Sequence, residues 1–146
     1  MIEFPFEARP SRKLGQVLKP IIPVRIVGPA RAVNLLMLSD SGADLSLLPY
    51  SVGETLGLKL DIATRSEVQG VGEGAVSYVL GEVDLRIGEI ELRARIGWAL
   101  IEEVPFLLGR LDVFRELSIE FREFENKIVV KHRSECSRVG HDPPYL

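Results

Sequence analysis

The chain is 146 residues long, 46% hydrophobic and 27% charged, with a formal net charge of -3. Those values suit one globular domain with a real core. They exclude a nucleic-acid binder held by bulk positive charge, and the apolar runs are too short to span a bilayer, so neither nucleic acid nor membrane is an expected partner.

The single cysteine, Cys136, excludes an internal disulfide. An early acid, Glu3, with no long apolar stretch behind it argues against a signal peptide. A reducing, cytoplasmic setting is the expectation. Glycine and proline, 13 and 9 residues, recur along the whole length and cut it into short segments. That punctuation predicts an all-β fold with one or two short helices.

In chain order, residues 1–18 form an N-terminal arm. Ile2, Phe4 and Phe6 alternate as in an edge strand, while Pro5, Pro10 and the basic stretch Arg9–Lys13 argue for a loosely held segment. Residues 19–131 carry the domain. Lys19–Val27 predicts a strand with Ile22, Val24 and Ile26 on one face, Gly28-Pro29 a turn, and Arg31–Leu38 the returning strand. Pro49 to Leu58 is the expected short helix, with Pro49 at its first turn and Gly57 near its end. Asp61–Gln69 and Ala75–Ile87 predict strands on either side of a glycine-rich hairpin tip, Gly70-Val71-Gly72-Glu73-Gly74. Gly88-Glu89 is a two-residue hairpin loop leading into Ile90–Ile101, the cleanest period-two run in the chain. Pro105–Arg110 is a short buried strand ending in Gly-Arg, and Leu111–Arg115 predicts a helical turn or short helix. Ser118–Phe124 and Lys127–Lys131 make a last hairpin. Residues 132–146 are a polar tail without period. His132, Cys136 and His141 lie there without a fourth partner, so no metal site is expected, and no cofactor.

The chemistry concentrates between Asn34 and Pro49. The apolar run Leu35-Leu36-Met37-Leu38 delivers Asp40-Ser41-Gly42-Ala43 to the end of a sheet, and Leu47-Leu48 returns to the core. A carboxylate so close to apolar sequence is costly unless it is paired or used. The plain alternative is a turn in which Asp40 caps backbone amides. A weaker echo follows at Phe106–Gly109, where an apolar strand again ends in a turn with glycine.

These residues resemble the retroviral-type aspartic proteases, the retropepsins. Asp40-Ser41-Gly42-Ala43 after an apolar run looks like that family's catalytic signature. Phe106-Leu107-Leu108-Gly109-Arg110 looks like its second signature, and Gly70–Gly74 falls where the family has its flap. The resemblance covers residues 19–131 and implies a closed acid-protease barrel. It implies a homodimeric aspartic endopeptidase acting on a peptide or protein substrate, with one Asp40 from each subunit, because this chain carries a single Asp-Ser-Gly. Asp40 is then the acid/base, Ser41 a hydroxyl bonding across the dimer, and Gly42 the point of close approach. Ala43, Asp44, Gly70, Val71, Gly72, Glu73, Gly74 and Arg110 contact or brace the substrate, with Asp44 and Arg110 as an ion pair. Two positions depart from the pattern: Ser39 replaces a larger apolar residue before Asp40, and Glu73 puts a charge near the flap tip. The departures keep a rival open, a peptide-binding or dimerisation module on this fold that does not hydrolyse.

Overall fold

Alternation of apolar and charged residues decides most of the architecture. The computed structural model describes residues 1–69 and 74–136. Its strands are β1 (Ile2–Pro5), β2 (Glu7–Ser11), β3 (Gly15–Lys19), β4 (Ile21–Val27), β5 (Ala32–Ser39), β6 (Leu47–Leu48), β7 (Ser66–Gln69), β8 (Ala75–Ile87), β9 (Ile90–Ala99), β10 (Leu107–Leu108), β11 (Leu117–Arg122) and β12 (Lys127–His132). One α-helix, α1 (Tyr50–Leu56), and three single 3-10 turns complete the described residues.

The long hairpin β8–β9 is in register from Tyr78↔Ala99 to Ile87↔Ile90. Val79, Val83, Leu85 and Ile87 from β8, and Ala94, Ile96 and Trp98 from β9, are buried on one side. Glu82, Asp84, Arg86, Arg93 and Arg95 face water on the other. Gly88 closes the hairpin at φ 58, where a side chain would be strained. β4 pairs with β5 along its whole length and with β8 at Arg25–Val27. The second pairing closes a ring, β4-β5-β10-β6-β9-β8, from which β7 extends as the partner of β8. The result is an all-β barrel, closed as the resemblance implies. Its core is filled by Ile22, Val24 and Ile26 of β4 with the β8 and β9 residues named above.

Helix α1 is flanked by Pro49 before its first residue and by Gly57 after its last, and Gly57 adopts a left-handed conformation at φ 79. Trp98 packs against this helix. Its Nε1 donates to the Tyr50 carbonyl at 2.9 Å, and its ring stacks on Tyr50 with centroids 5.3 Å apart. Gly53 leaves the space the indole fills, since a Cβ there would overlap it. Trp98 is therefore a core residue.

Two segments differ from the sequence reading at the level of elements, and a third takes the shorter of the two forms expected, a helical turn. Much of the N-terminal arm expected to be loosely held is an antiparallel hairpin, β2–β3, with Glu7↔Lys19 and Ser11↔Gly15 as its end pairs. The strand expected from Asp61 starts only at Ser66, because the Asp61 carboxylate accepts from the Ala63 N–H at 3.2 Å and turns Ile62–Thr64 into a 3-10 turn. Residues Leu111–Arg115 make turns without an α-helix. Asp112 sits there at φ 61, outside the helical region, and the Arg95 guanidinium and backbone N–H both bond its carboxylate.

The N-terminal alternation does give an edge strand. β1 pairs antiparallel with β12 of its own chain, Ile2↔Val130 to Pro5↔Lys127, in the small sheet β1-β12-β11. No helix among the described residues is long and apolar enough to cross a membrane.

Candidate active site

The two apolar runs that echo one another in sequence lie side by side in space. β5 and β10 pair in parallel, Leu107 against Leu38 and Leu108 against Ser39. At the end of that ladder the Asp40 N–H donates to the Leu108 carbonyl at 3.0 Å. The chain then turns: Ala43 N–H donates to the Asp40 carbonyl at 3.2 Å, and Gly42 N–H donates to Asp40 Oδ1 at 2.8 Å. One carboxylate oxygen is thus fixed by the turn that follows it. The other makes no hydrogen bond among the described residues. Asp40 itself is half-buried. The capping contact allowed by a plain turn is therefore present, and it leaves one oxygen available for chemistry.

The second run pins the loop from behind. Gly109 N–H donates to the buried Ser46 hydroxyl at 3.0 Å, Arg110 N–H to the Ala43 carbonyl at 3.0 Å, and Leu111 N–H to the Asp44 carbonyl at 2.9 Å. Arg110 and Asp44 also form an ion pair, both side chains largely in water. Gly109 lies so close to the Leu45–Ser46 backbone that a Cβ would overlap the Leu45 carbonyl.

Asp40, Gly42, Ala43 and Asp44 line one cleft of about 420 Å³. Apolar side chains supply much of the rest: Leu45, Leu47, Val76, Val104 and Leu107 among them. Val68 and Gln69 of β7 and Val76 of β8 line the same cleft, so the end of the β7–β8 hairpin nearest its tip shares that cleft with Asp40. Of the residues expected at its tip, Gly70, Val71, Gly72 and Glu73 lie outside the described residues. Gly74 has φ 115 and open space where a Cβ would be. Ser41 is exposed beside Asp40 and is not part of the cleft wall. Arg110 lines the adjoining pocket of about 330 Å³ with Arg95, Asp112 and Arg115, and Asp44 borders both spaces.

The carboxylate of Asp112 in that pocket is held down to about 2, from an ordinary 3.8, chiefly by the Arg95 side chain and then by its backbone N–H. Ser39, the departure noted in the sequence, is buried, and its hydroxyl has no hydrogen-bond partner among the described residues. Nothing in the structure explains a serine there. Sequence reasoning missed Ser46, which has no motif of its own, and the cleft residues Val68, Gln69, Glu103 and Val104. A hydrophobic run interrupted by one small hydroxyl residue, Leu45-Ser46-Leu47, was the available signal for the first.

A similar course of the backbone occurs in a solved structure. A retropepsin-like aspartic protease from Rickettsia conorii superposes with a TM-score of 0.58 over 90% of this chain and 99% of that one, at 16% identity. The fold is retropepsin-like. The EIAV protease complexed with the inhibitor HBY-793 is also similar, at 24% identity and a TM-score of 0.46 over 63% of this chain and 82% of that chain. No family model matches the sequence, and no curated protein matches it. At these identities the retropepsin-like likeness concerns the course of the backbone.

Proposed function

We propose that the protein is a homodimeric aspartic endopeptidase whose reacting groups are two Asp40 carboxylates, one from each subunit. The observation that carries this reading is the state of Asp40: one oxygen held by Gly42 N–H at 2.8 Å, the other unbonded within the described residues, at the floor of a largely apolar cleft. A single carboxylate cannot both take a proton from water and give one to a carbonyl in the same step. Two facing carboxylates can, because like charges at that range do not both ionise and the pair keeps one proton. A two-fold axis through the site supplies the second copy.

In the reaction, the ionised carboxylate takes a proton from a bound water as its oxygen bonds to the scissile carbonyl carbon. The protonated partner gives its proton to the carbonyl oxygen. Collapse of the tetrahedral species breaks the C–N bond: the carboxyl that took the water proton gives it to the leaving nitrogen, one hydroxyl of the diol returns its proton to the other carboxylate as the carbonyl re-forms, and the pair again holds one proton. The peptide adds as an extended strand in the cleft, with apolar side chains against Leu45, Leu47, Val104 and Leu107. Ser41 bonds across the axis, Gly42 leaves room for the peptide backbone, and Arg110 braces Asp44 at the end of the cleft. Val68, Gln69 and Val76, on the hairpin that leads to the glycine-rich segment, line the cleft beside the peptide.

The test is cleavage of a mixed peptide library by the parent protein and by Asp40→Asn, read by mass spectrometry. Removing the group that moves the proton lowers the rate by about 10²–10⁴-fold or more, with the fold unchanged by circular dichroism. An Asp40→Asn protein that cleaves as fast as the parent overturns the reading.

A further inference from the structure

Among the described residues, the cleft wall carries three ionisable side chains: Asp40, Asp44 and Glu103. Asp40 belongs to the chemistry, and Asp44 is paired with Arg110. Glu103 is exposed and makes no ion pair or hydrogen bond among the described residues. No lysine or arginine lines the cleft there. A peptide entering the cleft therefore meets uncompensated negative charge set in an otherwise apolar wall.

Glu103 is also held in place by its neighbours. The preceding residue, Glu102, accepts from Ser51 N–H at 2.6 Å and from the Ser51 hydroxyl at 2.7 Å, tying the loop to the start of α1. Tyr50 N–H donates to the Ile101 carbonyl at 3.1 Å, and Val104 N–H to the Glu102 carbonyl at 2.9 Å. On the far side Leu38 N–H donates to the Phe106 carbonyl at 2.9 Å, next to the strand end that carries Asp40. The turn that presents Glu103 is thus bonded to the helix on one side and to the catalytic strand on the other. An acid on a braced backbone keeps its position when a ligand arrives, so less ordering opposes the contact.

We infer that Glu103 is a specificity-determining residue that selects peptides with a lysine or arginine beside the apolar residues filling the cleft. This rests on the peptide occupying the cleft as proposed above. It adds a preference that Asp40 chemistry does not require. Two-fold symmetry repeats Glu103 in the partner subunit, so the preference appears on both sides of the scissile bond. An exposed acid–base contact of this kind favours lysine over glutamine about two- to fivefold for each carboxylate engaged. A glutamate at the same peptide position is disfavoured. The preference shrinks as ionic strength rises, because the contact is open to solvent.

The experiment measures binding apart from turnover. Fluorescent peptides with a central apolar pair, differing only in lysine, glutamine or glutamate next to it, are titrated against the Asp40→Asn protein by anisotropy. The lysine peptide binds tightest and the glutamate peptide weakest. Adding Glu103→Gln flattens the series, Glu103→Lys reverses it, and Glu89→Gln in the distant Gly88-Glu89 turn leaves it alone. Equal affinity for the three peptides overturns the inference, as does a series that survives Glu103→Gln, or no binding at all. A charge-ordered series together with a parent protein that cleaves nothing upholds the inference and defeats the peptidase reading. Cleavage by the parent with no charge order does the reverse.

Discussion

Substituting Gly109 by alanine tests whether the β10 strand end is what holds the Asp40 loop in shape. A Cβ at Gly109 would overlap the Leu45 carbonyl carbon and oxygen and lie 2.8 Å from Ser46 N. Ordinary contact between such atoms begins at about 3.5 Å, so the two segments must separate by roughly 1 Å. The obstacle is backbone, and no rotamer change relieves it. Gly109 is also buried and donates to Ser46 Oγ at 3.0 Å, so separation strains that bond as well. Overpacking of this kind costs about 1–3 kcal/mol, and the backbone clash puts Gly109→Ala at the upper end. For a chain of this size that is a fall in Tm of about 6–12 °C, measured by circular dichroism at fixed protein concentration. Because Arg110 and Leu111 bond Ala43 and Asp44 directly, peptide hydrolysis falls further than stability does. Gly42→Ala is the contrast: its Cβ would meet only Asp40 Oδ1, at 3.2 Å, so Tm holds within about 2 °C while activity drops. A Gly109→Ala protein with the parent Tm and full hydrolysis refutes the structural coupling.

Two further outcomes follow from the Arg-rich edge of the site. Arg110→Ala removes an ion pair whose partners are 55% and 81% exposed, so the loss in stability stays below about 1 kcal/mol; peptide binding, measured by anisotropy on the Asp40→Asn background, weakens more because Asp44 loses its brace. Asp112 has a carboxylate held below its ordinary value of 3.8, at about 2, so it stabilises the fold above 3.8 and that contribution is lost as the pH falls towards 2. Asp112→Asn, which tolerates the φ of 61, is therefore less stable than the parent at neutral pH by about 1–2 kcal/mol, and urea midpoints of the two proteins converge between pH 4 and pH 2; a constant gap across that range contradicts the assignment.

How much of this was legible in the sequence depended on whether a segment buries one face. β8 and β9 alternate cleanly because one side is core and the other water, and their ends are readable to within a residue or two. The Asp40 loop was legible because acid, hydroxyl and glycine follow an apolar strand directly. β10 is only two residues long, and its meaning comes from lying parallel to β5, a relation between positions far apart in the chain. The hairpin β2–β3 was hidden because Pro10 and the basic residues mask a half-exposed strand pair. The short helix allowed after Arg110 does not form because Asp112 leaves the helical region at the point where it meets Arg95. Glu103 carries no sequence signal at all. Its neighbour Glu102 is bonded to Ser51, and only the fold distinguishes the anchoring acid from the one left facing the cleft.

The pairing of the chain ends bears on how two copies can meet. β1 is already bonded to β12 of the same chain, and Lys127 reaches across to Glu3 at 3.2 Å. Exchanging β1 between subunits would break those bonds to remake the same ones, with no net gain. In the proposed dimer the contact that unites the two Asp40 loops must therefore come from surface the monomer leaves open. Ser41 and Gly42 are exposed directly beside Asp40, and their backbone is already shaped by the Gly42 and Ala43 hydrogen bonds. A loop ordered before association loses little freedom on docking. The same turn that fixes one oxygen of Asp40 thus shapes the surface on which the second subunit of the proposed dimer would land, which ties the proposed chemistry to the proposed assembly.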